Sequence, residues 1–115
     1  MEPGGVNPVI TPEQTITVST AGLQFSLSLP RPNPSNGKTA LELTLPRASS
    51  GRVVVVDPSG RIVRTLADGD IEAGISAVEW DGMDDAGRSL GAGVYFVRAE
   101  VNAFGRRSSK VIRIH

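Results

Sequence analysis

Apolar and polar residues alternate along most of the chain from Phe25 onward, with short breaks rich in glycine, proline and aspartate. A period of two places every second side chain on the same face of a β-strand, so that one face can be buried. Thr39–Leu45 follows this rule, with Leu41, Leu43 and Leu45 on one face. The pattern therefore predicts short strands, and no stretch keeps a helical period long enough to predict a helix.

Five further segments are predicted as strands on the same grounds, at residues 25–29, 61–66, 75–80, 94–101 and 108–114. Residues 53–56 are four valines, β-branched on both faces, and are predicted to form a central strand that is covered on each side. In the strand at 108–114 we expect Ile112 and Ile114 to point inward. The run Asp57-Pro58-Ser59-Gly60 has proline second and glycine fourth, which is typical of a type I turn, and it predicts a hairpin over residues 52–66.

Seven short strands in one chain of this size indicate an all-β fold, an immunoglobulin-like β-sandwich of about seven antiparallel strands. Trp80, the single tryptophan, is predicted to anchor the core between the two sheets. Residues 1–22 are rich in proline, glycine, threonine and serine, and are predicted to be a linker with an edge strand at 14–19. Residues 23–115 are predicted to form the domain.

Composition narrows the classes of function. Twelve lysines and arginines balance twelve aspartates and glutamates, so we expect no nucleic-acid partner. No apolar run is long enough to predict a membrane span. The chain has no cysteine, which excludes thiolate nucleophiles and thiolate metal sites. From Arg98 onward the sequence contains five basic residues and a single acidic residue, Glu100. We interpret the basic residues as a solvated outer face.

Candidate chemistry is confined to one acidic loop. Asp81, Asp84 and Asp85 could supply oxygen ligands to calcium, although their spacing differs from that of the EF-hand loop. Aspartates beside glycines also cap the backbone amides of turns, and this interpretation is favoured. His115 is the single histidine and stands at the last position, so no triad is expected. The sequence predicts neither an enzyme nor a cofactor.

Four short sequence motifs, which we call boxes, resemble motifs of the C-terminal sorting domains of the type IX secretion system (Por system). That family is related to the immunoglobulin-like domain of flagellar hook-capping proteins. The first, Pro32-Asn33-Pro34-Ser35-Asn36, is similar to a P-N-P-F-N box, with Ser35 where phenylalanine is common. The others are a D-x-x-G-R-x-V-x-x-L hairpin at 57–66, a W-D-G-x-D-x-x-G segment at 80–88 followed by G-V-Y-F at 93–96, and a basic-apolar terminus at 110–114.

The resemblance implies a noncatalytic module on a larger secreted protein. It would be recognised by outer-membrane secretion machinery, which would carry a fused N-terminal cargo domain from the periplasm to the cell surface or the medium. The isolated domain is expected to be a monomer or a weak oligomer. The predicted recognition residues are Lys110, Val111, Ile112, Arg113 and Ile114. The predicted structural turn motifs contain Asn33, Pro34, Asn36, Gly60, Arg61, Trp80, Asp81 and Gly82.

Two other functions compete with sorting. One is a structural assembly module of the hook-capping type. The other is a carbohydrate-binding accessory module, but such modules usually display several exposed aromatic side chains. This chain has five aromatic residues, and Trp80, Tyr95 and Phe96 lie within strand patterns. Carbohydrate binding is therefore the weakest of the three hypotheses.

Overall fold

The computed structural model describes residues 22–114 of the 115-residue chain. The described strands are β1 (Ser26–Leu27), β2 (Thr39–Leu45), β3 (Ser49–Val56), β4 (Ile62–Ile71), β5 (Gly74–Trp80), β6 (Gly93–Val101) and β7 (Gly105–Arg113). They pair antiparallel in two sheets, ordered β1-β2-β5 and β4-β3-β6-β7. The predicted all-β immunoglobulin-like sandwich is confirmed.

Within the described part of the chain there is no helix of the length and hydrophobicity needed to cross a membrane. Almost all of the predicted linker at 1–22, including its edge strand at 14–19, lies outside the described residues.

The core lies between the two sheets and follows the alternation of the sequence. Leu41, Leu43 and Leu45 from β2 are buried, as is Trp80 at the end of β5. The four-stranded sheet contributes Val53, Val55, Val97, Ala99, Val101 and Val111. Burying each of these leucine and valine side chains contributes about 1.5–3 kcal/mol. Trp80 is fully buried and meets the ring of Tyr95 edge to face, with centroids 5.4 Å apart, which confirms it as the anchor of the core.

The predicted hairpin is confirmed and is longer than expected. Its turn is closed by the Gly60 amide, which donates to the Asp57 carbonyl at 2.9 Å, and pairing of β3 with β4 continues as far as Ser49 and Ile71. Val54 and Val56 point away from the main core and are nevertheless buried beside their cross-strand partners on β6. The run of four valines is therefore covered on both faces, as the sequence predicts for a central strand.

The first strand is shorter than the predicted 25–29. Phe25 is buried, but regular pairing stops at Leu27 and Leu29 is 77% exposed. Ser28 ends the ladder because its side chain replaces a backbone acceptor. The Ser28 Oγ accepts a hydrogen bond from the Glu42 amide at 2.8 Å, while the Ser28 amide donates to the Glu42 carbonyl at 2.9 Å.

The prediction that Ile112 and Ile114 of the last strand point into the core is wrong, because the opposite face of the strand is buried. Val111 and Arg113 point inward, whereas Ile112 is half-buried and Ile114 is 49% exposed. Residues paired across two strands share a face, and in this register Ser109 lies opposite the buried Val97. Pairing with β6 therefore sets which side of β7 enters the core.

Candidate functional site

The end of β7 carries the five predicted recognition residues, and the structure divides them into two sets. Val111 and Arg113 are buried, while Lys110 and Ile114 are exposed and Ile112 is half-buried. Only the second set presents side chains to a partner. Val111 and Arg113 instead attach the strand to the core.

A segment from the first box, residues 33–35, covers the outer edge of this strand, and we call it the 33–35 strap. The Asn33 side chain donates to the Lys110 carbonyl at 3.2 Å and accepts from the Ile112 amide at 2.8 Å. The Ser35 amide donates to the Ile112 carbonyl and the Ile114 amide donates to the Ser35 carbonyl, both at 2.8 Å. The strap thus satisfies four backbone groups that an edge strand would otherwise leave unpaired.

Ser35 is buried, and its hydroxyl is satisfied within the loop that follows. Its Oγ lies 3.0 Å from the Gly37 carbonyl and 3.3 Å from the Lys38 carbonyl, to which it can donate, and it accepts from the Gly37 amide at 3.2 Å. A serine therefore fits the position where phenylalanine is common in the resembling family. Pro34 and Asn36, the neighbouring predicted turn residues, are exposed.

Arg113 is the buried charge of this site. Its guanidinium lies 5.5 Å from the centroid of the Trp80 ring, and its Nη1 donates to the Gly37 carbonyl at 3.0 Å. Gly82 lies so close that a Cβ added there would overlap the guanidinium. The Nε of Arg113 has no hydrogen-bond partner among the described residues. The charge is stabilised by the ring face and by a carbonyl oxygen.

Residues from three of the four boxes therefore meet at the terminal strand. The first box supplies the strap, the third supplies Trp80 and Gly82, and the fourth is the strand itself. The indole Nε1 of Trp80 also donates to the Met83 carbonyl at 2.9 Å, which fixes the start of the acidic loop. No periodicity in the sequence indicates this convergence, because the boxes are far apart along the chain.

The acidic loop uses its carboxylates as caps. Asp81 accepts from the Met83 amide, and Asp85 accepts from the Thr65 amide of β4, both at 3.0 Å. Arg64 lies between these two carboxylates, at 3.5 Å from Asp81 and 3.9 Å from Asp85. Within residues 22–114, no three histidine, cysteine or acidic residues come together in a way that could hold a metal ion.

Two turns of this structure are built alike, which the sequence interpretation missed although the pattern D-x-x-G-R occurs twice, at 57–61 and 84–88. In each, the glycine amide donates to the aspartate carbonyl at 2.9 Å. One carboxylate oxygen of Asp57 accepts the amides of residues 59 and 61 at 3.0 and 3.1 Å. One carboxylate oxygen of Asp84 accepts the amides of residues 86 and 88 at 3.0 and 2.9 Å.

These hydrogen bonds favour the ionised carboxylates. The pKa of Asp57 is held below its ordinary value of 3.8 chiefly by the hydroxyl of Ser59, and also by the amides of Arg61 and Ser59. The pKa of Asp84 is lowered chiefly by the amide of Arg88, with the charge of that arginine adding to the effect. Both aspartates therefore act as fixed anionic caps at neutral pH.

The basic residues near the end of the chain do not all form an outer face, which corrects the expectation from sequence. The guanidinium of Arg107 lies over the ring of Phe25, at 4.7 Å from its centroid, and Arg113 lies over Trp80. On the outer face, Glu100 is approached by Arg52, Arg98 and Arg106 at 2.8, 2.9 and 3.7 Å. The hydrogen bond from Arg52 is the main cause of the lowered pKa of Glu100.

None of the five aromatic side chains forms an exposed stacking platform. Phe25 and Trp80 are buried, and the other three, Tyr95, Phe96 and Phe104, are half-buried. Phe104 is further covered by Arg47, whose guanidinium carbon lies 5.0 Å from the ring centroid. The structure therefore offers no aromatic surface of the kind that sugar-binding modules use.

Comparison with known families gives a match over most of the chain. Residues 31–103 match the family described as FlgD Ig-like domain. This range covers the first three boxes and all strands from β2 to β6. The relation to the hook-capping immunoglobulin-like domain, expected from the sequence, is confirmed. No curated protein matches the chain.

Solved structures share the fold. Dimeric latent PorU from Porphyromonas gingivalis superposes with a TM-score of 0.59 and 24% identity, over 76% of this chain and 9% of PorU. Truncated FlgD from Helicobacter pylori superposes with a TM-score of 0.50 and 16% identity, over 75% of this chain and 68% of FlgD. PorZ, a surface component of the type-IX secretion system of P. gingivalis, superposes with a TM-score of 0.48 and 18% identity, over 79% of this chain and 11% of PorZ. The chain thus spans less than a tenth of the length of PorU.

Proposed function

The chain belongs to the FlgD Ig-like domain family, and from this premise we propose that it is a noncatalytic sorting domain. In this role it directs a larger cargo protein, to which it is fused, from the periplasm through the outer membrane to the cell surface or the medium. The resemblance of its four boxes to type IX sorting domains motivates the proposal. One structural observation carries it, namely that three of these boxes meet at the terminal strand.

The surface proposed for recognition consists of the outward side chains of Lys110, Ile112 and Ile114. Val111 and Arg113 position that strand from inside the core, and the 33–35 strap holds its edge. A segment held in one conformation loses little conformational entropy when the secretion machinery binds it. The strap and the buried arginine thus support recognition without touching the partner.

A noncatalytic role agrees with how the conspicuous polar groups are used. The aspartates of the acidic loop accept backbone amides or face Arg64 and Arg88. These contacts keep turns in place, and they account for the carboxylates without invoking a substrate.

Surface variants test the proposal better than truncation, because deleting residues 110–115 would remove Val111 and Arg113 from the core. We expect a cargo carrying the variant Lys110→Glu with Ile114→Ser to stay in the periplasm of a bacterium that has a type IX secretion system. Ser108→Glu, an exposed change on the same strand, is the matched control and should be exported. Thermal unfolding of each purified domain checks that the fold is intact. Normal export of the folded double variant would contradict the proposal.

The family match favours one second candidate, a structural assembly module of hook-capping type. In that role the domain would assemble with copies of itself or space other domains. In either form, cargo export would be unaffected by the Lys110 and Ile114 changes. If the domain assembles with copies of itself, sedimentation equilibrium of the isolated domain would also show oligomers that grow with concentration. A monomer at all concentrations, together with lost export, would leave sorting as the function.

A further inference from the structure

The two sheets have four edge strands, and three of them are covered over part of their length. On β7 the 33–35 strap occupies the edge of residues 110–114. At the start of β4 the acidic loop does so, because Asp85 accepts from the Thr65 amide and donates its own amide to the Val63 carbonyl. On β1 regular pairing lasts two residues, and the following Ser28 carbonyl accepts from the Ser109 hydroxyl. Such coverage prevents unintended strand pairing.

The fourth edge strand, β5, is open. All seven of its residues, Gly74–Trp80, pair with β2 on one side. No hydrogen bond from another part of residues 22–114 reaches its other side. The strand contains no proline and no lysine, and its pairing with β2 has no bulge. Apart from the charge of Glu79, it therefore lacks the devices by which edge strands are usually protected, and among residues 22–114 nothing pairs with its outer amides and carbonyls.

The outer face beside this edge carries an apolar patch. Ile75 is 61% exposed, and Ala77 is exposed next to it on the same face of β5. A shallow groove lined by Leu29, Ala40 and Ala77, and also by Arg31 and Glu42, continues this face across the sheet. An added strand would place alternate side chains over this surface.

The charge around the edge has one sign. Residues 65–87 contain seven aspartates and glutamates and no lysine or arginine. Three of these carboxylates flank β5 or lie on it, at Asp70, Glu72 and Glu79. All three are exposed, and none is within 4 Å of a basic group of the described residues. Among the described residues, Arg31 is the basic side chain that lines the neighbouring groove, and these carboxylates outnumber it, so the charge along the edge is predominantly negative.

We propose that β5 is a docking edge for an extended, basic segment of a partner polypeptide, which adds to the three-stranded sheet as a fourth strand. Backbone pairing supplies affinity, while apolar side chains meet Ile75 and Ala77 and a lysine or arginine meets Glu79. This surface lies on the opposite sheet from β7 and does not depend on the sorting role. A second copy of the chain is disfavoured as occupant, because pairing β5 with β5 brings two acidic edges together.

The test uses the full 115-residue chain, labelled with ¹⁵N, and a synthetic seven-residue peptide. The peptide alternates valine with threonine and carries a lysine at one end and an arginine at the other. One control peptide replaces both basic residues by glutamate, and another has a central proline that blocks pairing. We expect the basic peptide to shift the amide resonances of residues 74–80, and both controls to leave them in place.

Two variants that change the net charge of the chain equally show whether peptide binding depends on the charge at β5 or on the net charge of the whole chain. Glu79→Gln removes one negative charge at the edge, whereas Ser108→Lys adds one positive charge on the exposed face of β7. We expect the first to weaken peptide binding about two- to fivefold, and the second to change it less than twofold. Equal effects, or equal binding of the acidic peptide, would overturn the proposal, as would an absence of shifts on β5.

Hydrogen exchange of the same sample identifies any other occupant. The solvent-side amides of β5 should exchange quickly in the free chain and slowly with the basic peptide bound. Slow exchange in the free chain that is lost on removing residues 1–21 would mean that this segment occupies the edge. Protection that increases with chain concentration would mean that a second copy does. Either result would overturn the proposal.

Discussion

The guanidinium of Arg113 lies 5.5 Å from the centroid of the Trp80 ring, in the space that a side chain at position 82 would fill. Arg113 belongs to the last strand of the four-stranded sheet, while Trp80 ends an edge strand of the other sheet. This pair therefore joins the two sheets at the end of the sandwich where the terminal strand stops. A desolvated cation over an indole ring is worth about 2 kcal/mol.

Replacing Gly82 by alanine should reveal how closely this arginine packs. Gly82 and Gly87 both have a φ of +83°. An alanine at either position would be in the left-handed backbone conformation, which destabilises the folded chain by about 1–2 kcal/mol. Only at position 82 would the new Cβ also meet the guanidinium, whereas Gly87 has nothing within 4 Å. We expect Gly82→Ala to lower the free energy of unfolding by about 1 kcal/mol more than Gly87→Ala.

Denaturant unfolding in two backgrounds measures this coupling. In an Arg113→Ala background the two alanine variants should cost the same, because the overlapping group is gone. A difference that persists without Arg113 would mean that another contact makes position 82 special.

Removing the Asn33 side chain should loosen one end of β7 and leave the rest in place. Asn33→Ala loses two hydrogen bonds to the terminal strand, and should lower the free energy of unfolding by about 1 kcal/mol. The Ile112 amide should exchange faster with solvent, while the Ile114 amide, held by the Ser35 carbonyl, should change less. Asn36→Ala is the control, since Asn36 is exposed and makes no side-chain hydrogen bond with the described residues. Equal protection of the Ile112 amide in both variants would contradict the role of Asn33.

Stability should fall in acid, because Asp57 and Asp84 have pKa values below 3.8 in the folded chain. A carboxyl group whose pKa is lower in the folded than in the unfolded chain stabilises the fold while it is ionised in both. This contribution is lost as the pH drops through the pKa of the folded chain. We therefore expect the melting temperature to be nearly constant between about pH 7 and pH 5, and to fall below about pH 4. Thermal unfolding across this range provides the measurement.

The double variant Asp57→Asn with Asp84→Asn assigns the effect to these two residues. It should melt lower than the original chain at neutral pH and show a shallower decline in acid. Asn36→Ala, an exposed change that removes no carboxylate, should keep the original profile. An unchanged acid decline in the double variant would show that other carboxylates cause it.

Gly51 should be intolerant of any side chain for a reason that differs from that at position 82. A Cβ there would lie 2.5 Å from the Glu100 carbonyl oxygen and 2.9 Å from the Val101 Cα, and backbone atoms cannot rotate away. We expect Gly51→Ala to lower the free energy of unfolding by about 1–3 kcal/mol, because β3 and β6 must separate locally. Gly37→Ala, with nothing within 4 Å, should change it by less than about 0.5 kcal/mol. Equal stabilities of the two variants would show that the sheet accommodates the methyl group.

The alternation of the sequence determined most of the fold. Leu41, Leu43 and Leu45 alternate with polar residues, so only one face of β2 could be buried, and the structure buries it. The turn at 57–60 was equally predictable, because proline and glycine restrict the backbone locally. In each case the information lies within a few neighbouring residues.

Tertiary structure alone decided the facing of β7 and the assembly of the site. Val111, Ile112 and Ile114 offer apolar side chains on both faces, so alternation cannot choose between them, and pairing with β6 makes the choice. The choice buries Arg113, which no local pattern would place in a core. It is tolerated because Trp80, Gly82 and the Gly37 carbonyl come from distant parts of the chain to receive it. Contacts between distant residues depend on strand register and sheet packing, and a local pattern contains neither.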